Sequence, residues 1–419
     1  MASQPSIAIV GAGIGGLTLA LALRRRGLTA DVFEQASELR EIGAAVALSA
    51  NATRELERLG CIDAIAALSC QPSELIWRGW NDEVRVAAFP VAKSGAYRAR
   101  FGAPYFGIHR ADLQRVLGTA HGPDRLHLGH RLVVIENEGE RIGLQFANGH
   151  NTKVDILVGA DGVRSQVRRF VAGEECAAYS GTSAFRGIVP VRDLPSLPDP
   201  QALQFWMGPN AHLLHYAIGP SGEDVNFFAV VEGPEEWTHE TWTAPVASGA
   251  ATAAFAGWHA AVVEMVSAVP HSVRWGLFTV RPLQTWWRTR AVLLGDAAHG
   301  MLPHHGQGAN TTIEDSITLA ELLPARVQDF ESAMQRYQTL RRARTRIIQR
   351  SSRATNAVLH LPDQAIAGRA AKLARFPERF GWIHGFDALE DVTSRASSLP
   401  ITSRKGWSSS HSWGHHGPG

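Results

Sequence analysis

Three clusters of residues have the types and spacing for chemistry on a nucleotide cofactor. The first is Gly11-Ala12-Gly13-Ile14-Gly15-Gly16, with the carboxylate Glu34 further along. In such a loop Gly11 permits a tight turn and Gly13 lets the backbone approach a pyrophosphate. The pyrophosphate rests on free N–H groups at a helix N-terminus, and Gly16 lets that helix close on the preceding strand. Glu34 is placed to accept hydrogen bonds from both hydroxyls of a ribose and to repel a 2′-phosphate, so the loop reads as a site for FAD or NAD and not NADP. Gly15, Gln35 and Arg40 are candidate contacts on the same surface. The second cluster is Asp161-Gly162 within Val158-Gly159-Ala160-Asp161-Gly162-Val163-Arg164-Ser165. The third is Gly295-Asp296 within Leu293-Leu294-Gly295-Asp296-Ala297-Ala298-His299, followed by Pro303 and by Gly306-Gln307-Gly308-Ala309-Asn310. Both deliver an aspartate at the carboxyl end of an apolar run, where open α/β sheets place their ligands. A helix opening at Gly308 supplies about half a positive charge and several free N–H donors. Those are suited to the N1–C2=O edge of a reduced flavin.

The elements that must position these groups follow from the apolar pattern. Residues 7–10 and 30–33 are short buried strands around a Leu- and Ala-rich helix, a βαβ unit. Residues 154–158 and 291–294 are further buried strands. Helices are expected at 52–59, 111–117, 247–269, 308–323 and 330–359. Residues 131–138 and 141–146 read as a hairpin, and 84–104 as irregular chain. Residues 183–189, 202–207, 213–218 and 225–231 are strand-like and predict an antiparallel sheet. By the period of two, His212, Leu214 and Tyr216 share one face of their strand, and Leu213 and His215 the other. The arginines of 330–359 (Arg341, Arg342, Arg344, Arg346, Arg350 and Arg353) spread around most of that helix and predict a solvated face. From Ser397 the chain is Ser-, Gly- and His-rich without periodicity, and a disordered tail is expected. His411, His415 and His416 in it make no preformed metal site.

The 419 residues leave room for two domains, and 41 basic residues against 39 acidic ones give no reason to expect a nucleic-acid or membrane-surface partner. Cys61, Cys70 and Cys176 lack zinc or disulfide spacing and read as inert core thiols in a reducing cytosol. The segment before residue 7 has no basic n-region, no signal peptide is expected, and no apolar run reaches transmembrane length. There is one nucleotide fingerprint and no second Gly-rich βαβ unit. The expected location is cytoplasmic.

Taken in order, the three motifs resemble those of the group A flavoprotein monooxygenases, the para-hydroxybenzoate and salicylate hydroxylase superfamily, over roughly residues 6–389. The resemblance implies an α/β fold: a Rossmann-like FAD-binding domain (residues 1–75, 105–178 and 281–330) with an inserted, mostly antiparallel β-sheet substrate domain (76–104 and 179–280). A C-terminal helical region (331–396) and the tail (397–419) complete it. The resemblance assigns Asp161-Gly162 to FAD and NADPH binding, Gly295-Asp296 to the flavin ribityl, and Arg110 and Gln114 to contacts with FAD. Where the family usually has proline after GDAAH, Gly300 stands here, and a looser loop is expected. Within the superfamily Ala211-His212-Leu213-Leu214-His215-Tyr216, Trp275-Gly276-Leu277 and residues 382–389 are similar to salicylate and 6-hydroxynicotinate hydroxylases.

That similarity implies a non-covalent FAD, a transient NADH or NADPH, O2, and a small electron-rich aromatic acid of the hydroxybenzoate or hydroxypyridine-carboxylate type. A flavin C4a-hydroperoxide would deliver the oxygen. His212 would ionise the ring hydroxyl with Tyr216 orienting. A base titrating near neutrality would make coupled turnover rise with pH there. His215 is the alternative base, and His304 matches a further histidine of the 6-hydroxynicotinate enzymes. A structural role for His212 and a solvent-facing one for His304 and His305 remain open at this stage. Pro303 would present its carbonyl near flavin and substrate, and Arg186 and Gln204 could reach a substrate carboxylate. No metal is expected, and monomer and homodimer are both compatible. Alternatives are an FAD-dependent halogenase, which Trp286-Trp287-Arg288 does not fit, an NAD(P)-linked dehydrogenase, and a non-catalytic FAD-binding module.

Overall fold

The computed structural model describes residues 4–39, 45–173, 177–239, 241–270, 273–362 and 366–395. The candidate contact Arg40, the thiol Cys176 and the tail from Ser397 lie outside them. Two sheets carry the functional elements. The first has the strand order Trp287–Arg288, Ala291–Leu293, Ile156–Gly159, Ile7–Val10, Ala30–Phe33, Leu126–His127, and is parallel except for its first pair. Its central strands are apolar at every position because both faces are covered. The helix Ile14–Arg25 is buried at every position from Ile14 to Leu23, and it packs closely against the helix Gly308–Leu322.

The second sheet has eight strands in the order Thr243–Pro245, Val273–Val280, Ala177–Pro190, Asp224–Glu232, Ala211–Ile218, Leu203–Gly208, Glu74–Gly79, Arg85–Pro90. Only the pair Leu203–Gly208 and Glu74–Gly79 is parallel. The expectation of irregular chain over 84–104 is corrected here. Arg85–Pro90 is an edge strand on Glu74–Gly79, and Ala96–Phe101 is a helix. A bulge at Trp77/Arg78 interrupts the pairing, and the unbroken Val86-Ala87-Ala88-Phe89 run hides the strand period. The helix expected over 247–269 is broken into Ala250–Ala254 and Ala260–Ala268, with Gly257 at a φ of 80° between them. These two helices cover one face of the sheet, burying Phe185, Trp206, Leu213, Phe227 and Ala229. On the opposite, inner face Leu302, from the chain that follows the strand Ala291–Leu293, packs on Ala184, Val230 and Leu277.

The solvated face expected for the arginines of the long helix Phe330–Leu359 fails at Arg341, which is 1% exposed. It lies on the buried stripe Met334, Tyr337, Arg341, Thr345, Ile348, Ser352, whose three- and four-residue steps are those of a core-facing helix side. Its guanidinium meets Glu314 (2.6 Å) and Asp315 (2.5 Å) on the helix Gly308–Leu322. Residues 386–389 dock on the helix Ala50–Arg58. Arg58 holds Asp387 through both guanidinium nitrogens (2.6 and 2.7 Å), and Glu55 accepts from the Ala388 N–H (3.0 Å).

Candidate active site

The first sheet brings the three motifs together by register. Val10 pairs with Gly159, Gly159 with Leu293, and Val10 also with Phe33. The glycine loop, Glu34, Asp161-Gly162 and Gly295-Asp296 therefore leave adjacent strand ends on one edge. Gly11 has a φ of 106°, and a Cβ there would lie 2.4 Å from the Ala160 carbonyl oxygen, so the first two loops touch through a position only glycine fits. Gly16 closes the turn, its Cβ position falling 1.9 Å from the Gly11 carbonyl oxygen. Gly15 is also a contact between helices: its Cβ position is 2.4 Å from Thr312, and its carbonyl accepts from Ser316 (3.0 Å).

The residues present fit a dinucleotide. The first helical hydrogen bond runs from Leu17 N–H to Gly13 O (3.1 Å), which leaves the N–H groups of Ile14, Gly15 and Gly16 without a helical acceptor. The Cβ position of Gly13 has no protein atom within 4 Å. The Glu34 carboxylate is held at the loop by the N–H groups of Ala12 (2.8 Å) and Ala36 (2.9 Å). Gln35 beside it is exposed. Gln114 donates to the Ala12 carbonyl (2.9 Å) while its buried Oε1 has no partner, a free acceptor beside the loop. Arg110 opens the helix Arg110–His121. The Asp296 carboxylate stands 3.9 Å from the Cβ position of Gly308, where the helix Gly308–Leu322 begins. We expect Glu34→Lys to yield mostly colourless protein when purified, read as flavin absorbance per chain. A fully flavinated variant would contradict the assignment of Glu34.

Asp161 is engaged within the protein. Its carboxylate accepts from the Ser165 hydroxyl and from the N–H groups of Gln166 (2.7 Å) and Val167 (3.1 Å), capping the helix Gln166–Ala172. Desolvation raises its carboxyl above the ordinary value against those hydrogen bonds. Asp161→Ala should cost about 0.5–2 kcal/mol by loss of this cap, measured by urea unfolding of the flavin-free protein. An unchanged midpoint would remove the capping role.

The loop between Gly295 and Gly308 is tightly held. Gly300, where a looser loop was expected, accepts at its carbonyl from the Val280 N–H (2.8 Å), the Thr279 hydroxyl (3.1 Å) and the Gln349 amide (3.1 Å). Pro303 begins the turn Pro303–His305, and Gly306 ends it at a φ of 62°. Asn310, expected to contact the flavin, uses its side chain to tie this turn to the strand Ala45–Leu48. It donates to Ala47 O (2.9 Å) and Gly306 O (2.7 Å) and accepts from Ser49 N–H (2.9 Å). Ala309 is partly buried against the apolar residues that surround the first sheet. Sequence reasoning missed the support behind this turn: Asn51 donates to Gln307 (3.0 Å) and Glu314 (2.6 Å), and Asp315 holds His299 and the Gly295 N–H (3.2 Å). The signal was available as two adjacent acids, Glu314-Asp315, in the middle of a helix whose one other charged residue is Glu321.

His212 and Tyr216 lie on the inner face of the second sheet, and His215 on the helix-covered face. His215 sits next to Arg78 with both ring nitrogens unpartnered, and burial and that guanidinium push it down to about 3. Gln204 shares that face. It accepts from Arg78 (2.6 Å) and donates to Pro198 O (2.5 Å) and Asp199 O (2.9 Å), which removes it from the inner side. Arg186 is on the inner face, its guanidinium 3.6 Å from the centroid of the Trp275 ring. His304, 3% exposed, is turned into the protein. Its ring centroid is 5.3 Å from that of His212, and neither ring nitrogen has a partner. His305 is fastened to the long helix through Ser351 (2.9 Å) and Thr355 (3.2 Å). Neither histidine faces solvent.

The structure does not bring Tyr216 to His212. Four residues of strand put them about 13 Å apart, and Tyr216 packs instead against Gly107, near Arg110 and Tyr105. The residue that meets His212 is His360, just past the long helix, which sequence reasoning missed. His212 Nδ1 is 2.7 Å from His360 Nε2. Burial, then His304 and His360, hold His212 well below the ordinary imidazole value. Burial, then His360 and His305, push His304 down to about 3. These imidazoles are neutral at physiological pH, so the expected rise of turnover around neutrality moves to acid pH.

Four strand ends with three nucleotide-type loops, facing a sheet that presents buried imidazoles, are matched by the comparisons with known proteins. Residues 4–352 match the FAD binding domain family. The chain belongs to that family. It is 37% identical over 389 residues to the 3-amino-4-hydroxybenzoate 2-monooxygenase PtmB3 of Streptomyces platensis, covering 92% of this chain and 97% of that protein. It is 31% identical to the 6-hydroxynicotinate 3-monooxygenase of Bordetella bronchiseptica, covering 84% and 91%. A salicylate hydroxylase solved as a substrate complex superposes with a TM-score of 0.80 at 26% identity, covering 96% of this chain and all of that one. This chain is a group A FAD-dependent monooxygenase, with the mixed α/β architecture of those hydroxylases. Its cofactor is FAD, and NAD(P)H is the reductant typical of the family. Among the described residues no helix is long and apolar enough to cross a membrane, and no group of three or more acids, histidines or cysteines could hold a metal. Trp286, weighed for a halogenase, is a core residue against His299 and Tyr337.

Proposed function

We propose that this enzyme hydroxylates a single-ring aromatic acid bearing a ring hydroxyl, of the hydroxybenzoate or aminohydroxybenzoate class, and that His212 ionises that hydroxyl. The observation that carries the reading is the inner face itself: a neutral buried imidazole at one end of a strand and a neutral phenol at the other. Burial raises Tyr216, so its hydroxyl stays a donor, with Arg110 close by. The spacing of about 13 Å suits one substituted ring hydrogen-bonded at both ends, its hydroxyl at His212 and its carboxylate at Tyr216.

The chemistry that bound FAD would supply here is hydride acceptance from NAD(P)H and, with O2, an electrophilic oxygen. The chain's own groups do the rest. Glu34, Gln114 and the N–H groups after Gly13 hold the dinucleotide. Asp296 and the turn Pro303–Gly308 would hold the ribityl and the ring edge. The packing of Leu302 on Ala184, Val230 and Leu277 keeps water from the ring. His212 takes the phenolic proton and makes the ring electron-rich. The buried, unpaired thiols Cys61 and Cys70 suit a reducing cytosol.

The similarity to the 3-amino-4-hydroxybenzoate enzyme puts that acid first in a panel with 3-hydroxybenzoate, salicylate and 6-hydroxynicotinate. We expect an aminohydroxybenzoate or hydroxybenzoate to give the largest stimulation of NAD(P)H oxidation together with hydroxylated product. Stimulation by the pyridine acid alone would reassign the ring.

A further inference from the structure

We infer that Glu232 and His360 form a proton path that sets the tautomer of His212 and carries the substrate's proton to solvent; this rests on His212 being the base. Three groups stand in line. His360 Nδ1 is 2.5 Å from Glu232 Oε1, and His360 Nε2 is 2.7 Å from His212 Nδ1. The line runs from buried to wet. His212 and His360 are buried, and the Glu232 side chain is 49% exposed. Backbone bonds fix the two outer members around one turn. Glu232 N–H donates to Asn210 O (3.0 Å), and Asn210 N–H donates to His360 O (3.4 Å).

The order of donors follows from the carboxylate. Glu232 accepts only, so His360 carries its proton on Nδ1 and presents a lone pair at Nε2. His212 Nδ1–H donates to that lone pair, and His212 Nε2 is left unprotonated, which is the form a base requires. When His212 Nε2 takes the phenolic proton, the Nδ1 proton passes to His360 Nε2. The His360 Nδ1 proton passes to Glu232, which releases it to water. One proton leaves for water as one enters from the substrate, and the path resets when a proton from water returns through Glu232 and His360 to His212 Nδ1 and His212 Nε2–H gives its proton to the oxygen of the hydroxylated product. The titratable groups facing His360 are Glu232 on its own side, His212 on the strand and His304 in the turn. Neutral His304 leaves the direction of transfer to the carboxylate.

The test uses FAD-loaded enzyme mixed rapidly with 3-amino-4-hydroxybenzoate in weak buffer. Ring ionisation is followed by absorbance and proton release by an indicator dye. Glu232→Gln and His360→Gln keep a hydrogen-bonding group in place and cannot pass a proton. Both should slow proton release on the order of 100-fold, the lower end of what a positioned proton-transfer group contributes, with flavin content unchanged. Glu232→Asp should restore most of the rate. Wild-type release rates in both glutamine variants, with ionisation lost in His212→Ala, would overturn the path and leave His212 as base. Wild-type ionisation in His212→Ala, or no ionisation by the wild-type enzyme, would remove the base assignment and the path with it.

Discussion

His212→Ala is expected to keep its flavin and its rate of flavin reduction while coupled hydroxylation falls about 100- to 10,000-fold, the usual worth of a positioned base. Hydrogen peroxide should replace product, because an un-ionised phenol is a poor acceptor of electrophilic oxygen. His215→Ala is the control. Its ring is on the far side of the sheet beside Arg78, so coupling should stay intact. The pH dependence has a definite sign. Burial, His304 and His360 lower His212, so the active neutral imidazole is fully present at neutrality and is lost only as pH falls through its depressed value. Coupled turnover of the wild-type enzyme should therefore be level across neutral pH and decline on the acid side. Product formed per NAD(P)H consumed, for the two variants side by side, checks this. Uncoupling by His215→Ala and not His212→Ala would reverse the face assignment.

Arg341→Met should be the most destabilising single change, at about 3–5 kcal/mol, because it takes from two buried carboxylates the one cation they share. Arg341 meets Glu314 at 2.6 Å and Asp315 at 2.5 Å, and only Arg344 (2.7 Å) and His299 would remain. Desolvation is the largest influence on both carboxyls and raises them. Arg344 and Arg341 outweigh it at Glu314, and His299 and Arg341 at Asp315, so both end below their ordinary values. Depressed carboxyls contribute stability that is present above about pH 4 and is lost as pH falls through their folded values. Asp315 also holds the Gly295 N–H, so the variant should lose flavin before it unfolds. Chemical unfolding of the wild type and Arg341→Met near neutrality measures the loss. A difference under about 1 kcal/mol would mean that the cluster behaves like a surface ion pair.

The parts legible in the sequence are those in which cause and effect are close in the chain. The glycine loop is a turn, a helix start and a strand end within one short segment, and its glycines contact each other's backbone. The faces of His212 and His215 follow from a period of two that no partner strand can alter. What escaped reading depends on distant pairings. His360 meets His212 across 148 residues, and nothing near either marks the other. By charge alone Arg341 reads as solvated, but it occupies the buried stripe of its helix. Its neighbours Tyr337 and Thr345 are both buried, and Glu314-Asp315 supplies the counter-charge from another helix. Tyr216 was placed on the right face, but the strand runs straight, so the same rule that joins it to His212 in orientation separates the two in distance. Asn310 lies in the first turn of the expected helix, and its amide ties the preceding Pro303–Gly306 turn to the strand Ala45–Leu48.

The central claim is that oxygen from O2 is inserted into an aromatic acid at this site. The most direct measurement is turnover of 3-amino-4-hydroxybenzoate with NAD(P)H under 18O2, followed by mass analysis of the product. The new hydroxyl should carry the label, and product should track NAD(P)H consumption. Labelled hydrogen peroxide with unaltered acid, or a product whose new oxygen comes from water, would contradict it.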